Sequence, residues 1–292
     1  MSIVDQSTAV TANSTGVLVA SSATANTKGS WVELIASTSE ETYWIQLVVT
    51  NNVASVTKRN FLLDIGVGAL GVEVVKIANI SAYVINSKSI TYLFPLTIAS
   101  GARVSISCAN ADVSATSCFA MIYLDNEDAY GTSTVNANFG ADTASSKGTA
   151  IEADGTTDDT KGGYGELTSS TSIDVDYMVV MIGSNDNGTI SPAQEALVDV
   201  ATGAASSEVD IIANVPYGMN NAETSGISFG VFQSIPSTTR LSARMQTSDS
   251  VAAGAADRTL DVCFLCFTLE APSGGGGAAS VLGQIGLNGG MQ

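Results

Sequence analysis

The sequence predicts an all-β protein built from two tandem antiparallel β-sandwich domains, jelly-roll-like in type, that arose by internal duplication. Three observations support this. Blocks of sequence occur twice in the 292-residue chain, short segments alternate apolar with polar residues, and clusters of Ser, Thr, Asn, Asp and Gly separate these segments. About eight strands in roughly 130 residues suit a jelly roll.

The repeat is clearest in two long blocks. TKGSWVELIASTS at 27–39 agrees with TKGGYGELTSSTS at 160–172 in eight of thirteen positions. LLDIGVGALGVEVVKIANI at 62–80 agrees with LVDVATGAASSEVDIIANV at 197–215 in nine of nineteen positions. The two copies are offset by 133 residues in the first block and by 135 in the second. An offset of this length suits a duplicated small domain and is too long for a solenoid repeat.

Two shorter blocks follow in the same order. Arg103-Val-Ser aligns with Arg240-Leu-Ser, and Cys118-Phe119 aligns with Cys263-Phe264. We therefore expect two independently folded sandwiches of the same topology. The predicted segments are an N-terminal arm at 1–26, the first β-sandwich at 27–125, an acidic linker and strand lead-in at 126–159, the second β-sandwich at 160–271 and a Gly-rich C-terminal arm at 272–292.

The segments between the turn residues have the composition of strands. RVSISCA at 103–109 alternates apolar residues with Ser, and YWIQLVV at 43–49 and CFAMIYL at 118–124 are rich in aromatic and β-branched residues. The Ala-rich stretch at 193–209 is the best helix candidate, but its counterpart in the first copy has the pattern of a strand.

Composition limits the function. Hydrophobic residues make up 45% of the chain and charged residues 13%, and the formal net charge is −17. Such acidity disfavours nucleic acid and anionic lipid as partners. The start MSIVDQST lacks the pattern of a signal peptide, and the apolar run at 262–269 is too short to span a membrane. We expect assembly in a host cytoplasm.

The side chains that usually carry catalysis are few. The chain contains no histidine and only four cysteines, so the usual Ser-His-Asp and Cys-His arrangements are excluded. Cys263 and Cys266 form a CxxC pair, but on a strand this spacing directs the thiols to opposite faces, which predicts ordinary core thiols. A disulfide between Cys108 and Cys118 is disfavoured in a reducing compartment. We expect no catalytic, cofactor-binding or metal-binding residue and no cofactor.

Charged residues recur at equivalent positions of the two copies, and two interpretations are open. The Asp and Glu residues could form a carboxylate pair for acid–base or metal chemistry. Alternatively, the Arg residues could clamp a loop to a strand through carboxylates, and this is the favoured interpretation. The equivalent pairs are Asp64 and Asp199, Glu73 and Glu208, and Arg103 and Arg240.

Other candidate sites rest on weaker patterns. Two acidic runs could bind calcium but lack the known loop spacings. Trp31 and Trp44 could form a sugar-binding platform, although the repeat counterpart of Trp31 is Tyr164, which favours a packing role. The acidic runs comprise Asp125, Glu127 and Asp128, and Glu152, Asp154, Asp158 and Asp159.

The order W-x-E-L-x-x-S-T-S, L-x-D-I-G-x-G-A-x-G-x-E and I-x-x-G-x-R resembles a pattern in structural proteins of tailed bacteriophages. Here it spans Trp31 to Ser39, Leu62 to Glu73 and Ile98 to Arg103. The second copy departs from it, with Tyr164 in place of the Trp and Ala201 and Ser206 in place of two glycines. The resemblance implies a β-sandwich component of the virion, on the head or on the tail.

We therefore expect a non-enzymatic virion protein that decorates the capsid exterior or forms a head spike or fibre. The alternatives are a tail or baseplate receptor-binding protein for host glycan and a subunit of a non-viral extracellular filament; a hydrolase is disfavoured. The expected partners are its own copies, as a homotrimer, and other virion proteins such as major capsid or tail proteins. The arms, at 1–26 and 278–292, are expected to lie against neighbouring chains by strand addition.

Overall fold

The computed structural model describes residues 3–5, 16–52, 59–84, 88–112, 115–128, 131–154, 157–184, 194–219, 226–248 and 259–270. These residues form eighteen β-strands and no helix, so no described segment is a helix able to cross a membrane. All strand pairs are antiparallel, which confirms the all-β prediction. The Ala-rich helix candidate contains no helix among its described residues: Gln194–Thr202 is a strand, and a turn follows it before the next strand begins at Val209.

Nine strands belong to the first sandwich. They are β1 (Ile3–Asp5), β2 (Val17–Ala20), β3 (Val32–Ile35), β4 (Trp44–Asn51), β5 (Arg59–Val67), β6 (Val74–Val84), β7 (Ser89–Phe94), β8 (Val104–Asn110) and β9 (Ser117–Asp125). One sheet has the order β1-β9-β4-β7, with β2 also paired to β9, and the other has the order β3-β8-β5-β6.

Nine further strands build the second sandwich. They are β10 (Thr132–Phe139), β11 (Thr149–Glu152), β12 (Gly165–Thr168), β13 (Val175–Ser184), β14 (Gln194–Thr202), β15 (Val209–Met219), β16 (Ile227–Ile235), β17 (Leu241–Thr247) and β18 (Thr259–Glu270). The orders β10-β18-β13-β16, with β11 on β18, and β12-β17-β14-β15 repeat the first sandwich strand for strand. Adding nine to each strand number converts one topology into the other, which confirms the predicted tandem jelly rolls.

Two predicted segments contain strands of the sandwiches. Val17–Ala20 pairs with β9, and Ile3–Asp5 pairs with the same strand, so these parts of the predicted N-terminal arm belong to the first sandwich. Similarly, the predicted linker contains β10 and β11, both paired with β18. Composition suggested an arm because residues 1–26 are rich in Ser, Thr and Ala, and it suggested a linker because residues 126–159 contain acidic clusters. The C-terminal arm lies outside the described residues.

The fourth block of the sequence repeat is out of register by three residues. In the first sandwich, Asn51 of β4 lies opposite Cys118. In the second sandwich, the equivalent Ser184 lies opposite Leu260, so Leu260 rather than Cys263 is the counterpart of Cys118. A shift by an odd number of residues exchanges the two faces of a strand, and the matching letters Cys-Phe concealed this exchange.

The two sandwiches are not independent, which corrects the expectation from the repeat. The hydrophobic core of the first sandwich includes Tyr177, Val179, Cys263, Leu265 and Phe267 of the second. Alternate residues of β13 and β18, such as Val180 and Phe264, face the core of their own sandwich. The two central strands of this sheet, β13 and β18, are therefore buried on both faces.

Polar contacts reinforce this junction. The Tyr177 hydroxyl donates to the carbonyl of Leu93 at 3.2 Å, and the Gly226 N–H donates to the carbonyl of Tyr83 at 2.8 Å. The Trp44 indole N–H donates to the carbonyl of Gly131 at 3.0 Å. The Trp44 ring also meets that of Tyr177 edge-on, with 5.3 Å between ring centroids. Trp44 is thus a junction residue and is almost completely buried.

Candidate functional site

The repeated arginines form matching ion-pair clusters at one end of each sandwich. Arg103 lies just before β8, and its Nε and one terminal nitrogen bind Glu33 and Glu73, each at 2.8 Å. A third hydrogen bond goes to the carbonyl of Gly68 at 3.4 Å. The cluster ties β3 and the β5–β6 turn to β8. This is the predicted loop-to-strand clamp.

The second sandwich repeats the clamp almost atom for atom. Arg240 binds Glu166 at 2.8 Å and Glu208 at 2.9 Å, and it also donates to the carbonyl of Gly203 at 3.2 Å. Burial favours the neutral form of Glu208, but hydrogen bonds from the backbone and from Arg240 outweigh it and keep its pKa below the ordinary value. Arg240 therefore neutralises an ionised carboxylate, which disfavours a general acid at Glu208.

The repeated aspartates have a different partner from the glutamates. Asp64 accepts hydrogen bonds from Lys28 at 2.5 Å and from the backbone N–H of Asn79 at 2.8 Å. Asn79 has a left-handed backbone, with φ 58°, at an irregularity in the pairing of β5 with β6. The carboxylate thus satisfies an N–H that the strand ladder leaves unpaired. The structure therefore does not join Asp64 and Glu73 into a catalytic pair.

Asp199 repeats this arrangement and has one more partner. Lys161 lies 2.6 Å and Arg244 2.9 Å from its carboxylate oxygens, and the N–H of Asn214 donates at 2.8 Å. Burial opposes ionisation of Asp199, but the bonds from Lys161, Asn214 and Arg244 hold its pKa below the ordinary value. Sequence reasoning missed Lys28 and Lys161, although both stand in the identical letters TKG of the first repeat block.

Arg244 creates a cluster that the first sandwich lacks. Its guanidinium lies over the ring of Tyr164, 4.4 Å from the centroid, and it binds Asp210 at 3.1 Å. The Tyr164 hydroxyl donates to Asp210. Burial, together with this bond, raises the pKa of Tyr164 to about 12. The register places Ser107 at the position of Arg244 in the first sandwich.

An open pocket of about 560 Å³ adjoins Tyr164. Its wall consists of β11, the residues after it and the segment before β12. Carboxylates, an ammonium group and an aromatic ring line it together with backbone from three glycines, a mixture that suits a small polar ligand. The lining side chains that can form polar or stacking contacts are Glu152, Asp154, Lys161 and Tyr164.

The residues predicted as calcium-binding or sugar-binding candidates make contacts that fit structural roles. Among the described residues, no group of three or more Asp, Glu or Cys side chains is arranged to hold a metal ion. Asp125 accepts a hydrogen bond from the backbone of Glu127 at 3.1 Å. Trp31 lies against Gly66, where an added Cβ would come within 2.9 Å of its ring. This contact explains the glycine at position 66.

All four cysteines are free and buried. Cys263 faces the junction between the sandwiches and Cys266 faces the second core, which confirms that the CxxC thiols point in opposite directions. Burial raises the pKa of Cys263 to about 12 and raises that of Cys266 as well. These thiols are therefore packing residues rather than nucleophiles.

No protein-family model matches the chain, and no curated protein sequence matches it. The similarities to solved structures are weak. The CBM22-1-CBM22-2 tandem domain of Xyn10C from Paenibacillus barcinonensis has 12% identity and a TM-score of 0.27, over 82% of this chain and 83% of that chain. The structure of Broad Bean Stain Virus has 11% identity and a TM-score of 0.30, over 80% of each chain.

A third similar structure is PNGF-II, with 9% identity and a TM-score of 0.35 over 82% of this chain. This chain covers 59% of PNGF-II. Similarities this low do not transfer a function.

Proposed function

We propose that this chain is a non-enzymatic structural protein of a tailed-phage virion, which decorates the capsid exterior or forms a head spike or fibre. The observation that carries the proposal is the junction, where strands β13 and β18 of the second jelly roll pack into the cores of both sandwiches. Two domains joined in this way form a stiff unit that suits a structural component of a particle. The resemblance of the repeat blocks to phage structural proteins supplies the biological setting.

The charge distribution supports an outward-facing surface. Five of the 11 basic side chains neutralise carboxylates in the two sets of clusters. The net charge of −17 already includes these cations, and most of the remaining carboxylates act on solvent and on approaching molecules. Such a surface repels nucleic acid. Its proposed partners are its own copies, as a homotrimer, and major capsid or tail proteins.

Antibody labelling tests this proposal. Antibodies raised against the recombinant chain would be added to purified particles of the phage that encodes it. Electron microscopy would then locate the bound antibodies on the particles. We expect label on the capsid exterior or on a head appendage. Label on the tail would favour receptor binding instead, and a complete absence of label from particles that are otherwise intact would refute a virion role.

A second candidate function is recognition of host glycan, favoured by the pocket beside Tyr164. One face of the ring carries Arg244, and the ring also lines the pocket, where a sugar could stack. Glycan-array binding tests this function. The variant Tyr164→Ala should lose binding, whereas Trp31→Ala, the equivalent change in the other sandwich, should retain it. If the wild-type chain binds no glycan, this candidate fails.

A further inference from the structure

The first sandwich exposes an unusual amount of apolar surface at one end. We call the turn between β5 and β6 and the start of β6 the apolar tip, and define it by four exposed aliphatic residues. Their side chains retain much of their accessible surface: Leu70 75%, Val72 70%, Val74 60% and Val75 47%. Soluble proteins seldom leave such a cluster uncovered.

The second sandwich shows that the turn does not require these side chains. Its equivalent turn keeps the same positive backbone angles, at Gly203 as at Gly68 and at Ser206 as at Gly71. The four equivalent positions of the second sandwich carry Ala205, Ser207, Val209 and Asp210. Three of these residues are smaller or more polar than their counterparts in the first sandwich. Only Val209 remains a large aliphatic residue. The apolar tip is therefore specific to the first sandwich, which points to an occupant.

The described chain ends at the same end of the first sandwich as this tip. Glu270, at the end of β18, lies opposite Thr132, and the side chain of Thr132 bonds to that of Thr97 in the first sandwich. The next residue, Ile98, forms a β-bridge with Thr42. This bridge lies at the end of the first sandwich where Arg103 holds the β5–β6 turn.

The direction of β10 also places Glu270 at the end of the sandwich that carries the apolar tip. Asn136 donates to the carbonyl of Lys76 at 2.8 Å, and Asn138 donates to that of Asn79 at 2.7 Å. These contacts show that β10 and β6 run side by side in the same direction. Thr132 precedes Asn136 by four residues, about 13 Å along a strand, and Val72 precedes Lys76 by the same number. Glu270 therefore leaves the sandwich at the level of the apolar tip.

The sequence that follows Glu270 has the composition of a tether and an anchor. Residues 271–280 read APSGGGGAAS, and residues 281–287 read VLGQIGL. A ten-residue segment of the first kind spans about 17 Å on average. The second stretch contains four large aliphatic side chains, at Val281, Leu282, Ile285 and Leu287. It has no charged side chain, so the acidic surface does not repel it.

We propose that residues 281–287 cover the apolar tip of their own chain. A short tether gives an effective concentration in the millimolar range, above that of other copies in a dilute solution. This places the C-terminal segment on its own first sandwich, rather than on a neighbouring chain as composition alone suggested. Burial of the exposed aliphatic side chains on both sides supplies the driving force.

Hydrogen exchange of the full chain, read by mass spectrometry, tests the proposal. We expect amides 281–287 to exchange about tenfold more slowly in the wild type than in Leu70→Ala/Val72→Ser, which carries the side chains of the second sandwich. The matched control Val209→Ser changes the equivalent tip of the second sandwich and should leave this protection intact. Exchange of 281–287 at the rate of an unstructured peptide in the wild type would overturn the proposal.

Two further measurements keep the test decisive. If the tip variant fails to fold, Leu282→Ser/Ile285→Ser alters the anchor instead and should accelerate exchange at residues 69–75, while unchanged exchange there would refute the contact. Protection should also persist on dilution in a sample whose mass by light scattering is that of one chain. Protection that disappears on dilution would show that the segment covers a neighbouring copy, contrary to the proposal.

Discussion

At the residue scale, Arg103 holds two carboxylates, those of Glu33 and Glu73. Its side chain is 13% exposed, and that of Glu73 only 1%. Removing the guanidinium leaves an ionised group with little solvent. We expect Arg103→Ala to lower the thermal midpoint by roughly 5–10 °C, measured by circular dichroism. Lys88→Ala, which removes an exposed cation, is the control. A mutant that melts with the wild type would show that the clamp adds no stability.

Asp261 predicts that the stability of the folded protein depends on pH. It is buried in β18, and neither carboxylate oxygen has a hydrogen-bond partner among the described residues. Burial raises its pKa to about 7; Lys147 opposes this rise and Asp142 adds to it. Since the unfolded chain releases this proton near its ordinary pKa of 3.8, the contribution of Asp261 is most favourable below that value. It is lost as the pH rises towards 7.

Replacing the carboxyl group should therefore stabilise the protein in alkaline solution. We expect Asp261→Asn to increase the free energy of unfolding at pH 8 by roughly 2–4 kcal/mol. The gain should shrink towards pH 4, where the wild-type group is protonated. Urea denaturation across this range measures the difference. Curves for the two proteins that stay parallel from pH 4 to pH 8 would contradict the raised pKa.

At the element scale, the irregularities in β6 and β15 explain why the letters IAN occur in both copies. Asn79 and Asn214 adopt φ 58° and 59°, a conformation that Asn tolerates and β-branched residues avoid. We expect Asn79→Gly to change stability by less than about 1 kcal/mol and Asn79→Val to cost about 1–2 kcal/mol, as measured by urea denaturation. Equal effects of the two substitutions would show that backbone conformation does not select Asn.

At the scale of the whole molecule, the shared core should make the two sandwiches unfold together. Leu265 faces the junction and Phe264 faces the second core. We expect one calorimetric transition for the wild type. Leu265→Asp should split it into two, because a buried unpaired charge separates the domains. The neighbouring Phe264→Leu should lower the single transition without splitting it. Two transitions in the wild type would mean that the junction does not couple the domains.

Much of this architecture was predictable from the sequence. The repeat predicted a duplicated jelly roll because matching Asp, Glu and Arg residues occur in the same order in both copies. The CxxC spacing predicted opposite thiols because side chains alternate along a strand. The Arg clamp was predicted with Glu73 and Glu208 among its candidate carboxylates, but its other partners, Glu33 and Glu166, were not predicted. Arg244 and Asp210 were missed because nothing in one sequence shows that β17 and β15 bring them beside Tyr164.

The sequence by itself determined the fold class, the duplication and the internal character of the thiols, because these depend on local alternation and on comparison of the chain with itself. Tertiary structure alone decided how the sandwiches join. The uninterrupted apolar run VCFLCFTL in β18 signals a strand buried on both faces, yet it does not name the second surface. That surface is the side of the first sandwich formed by its edge strands β6 and β7, which β10 and β13 contact. Contacts so distant in sequence follow from packing rather than from local pattern.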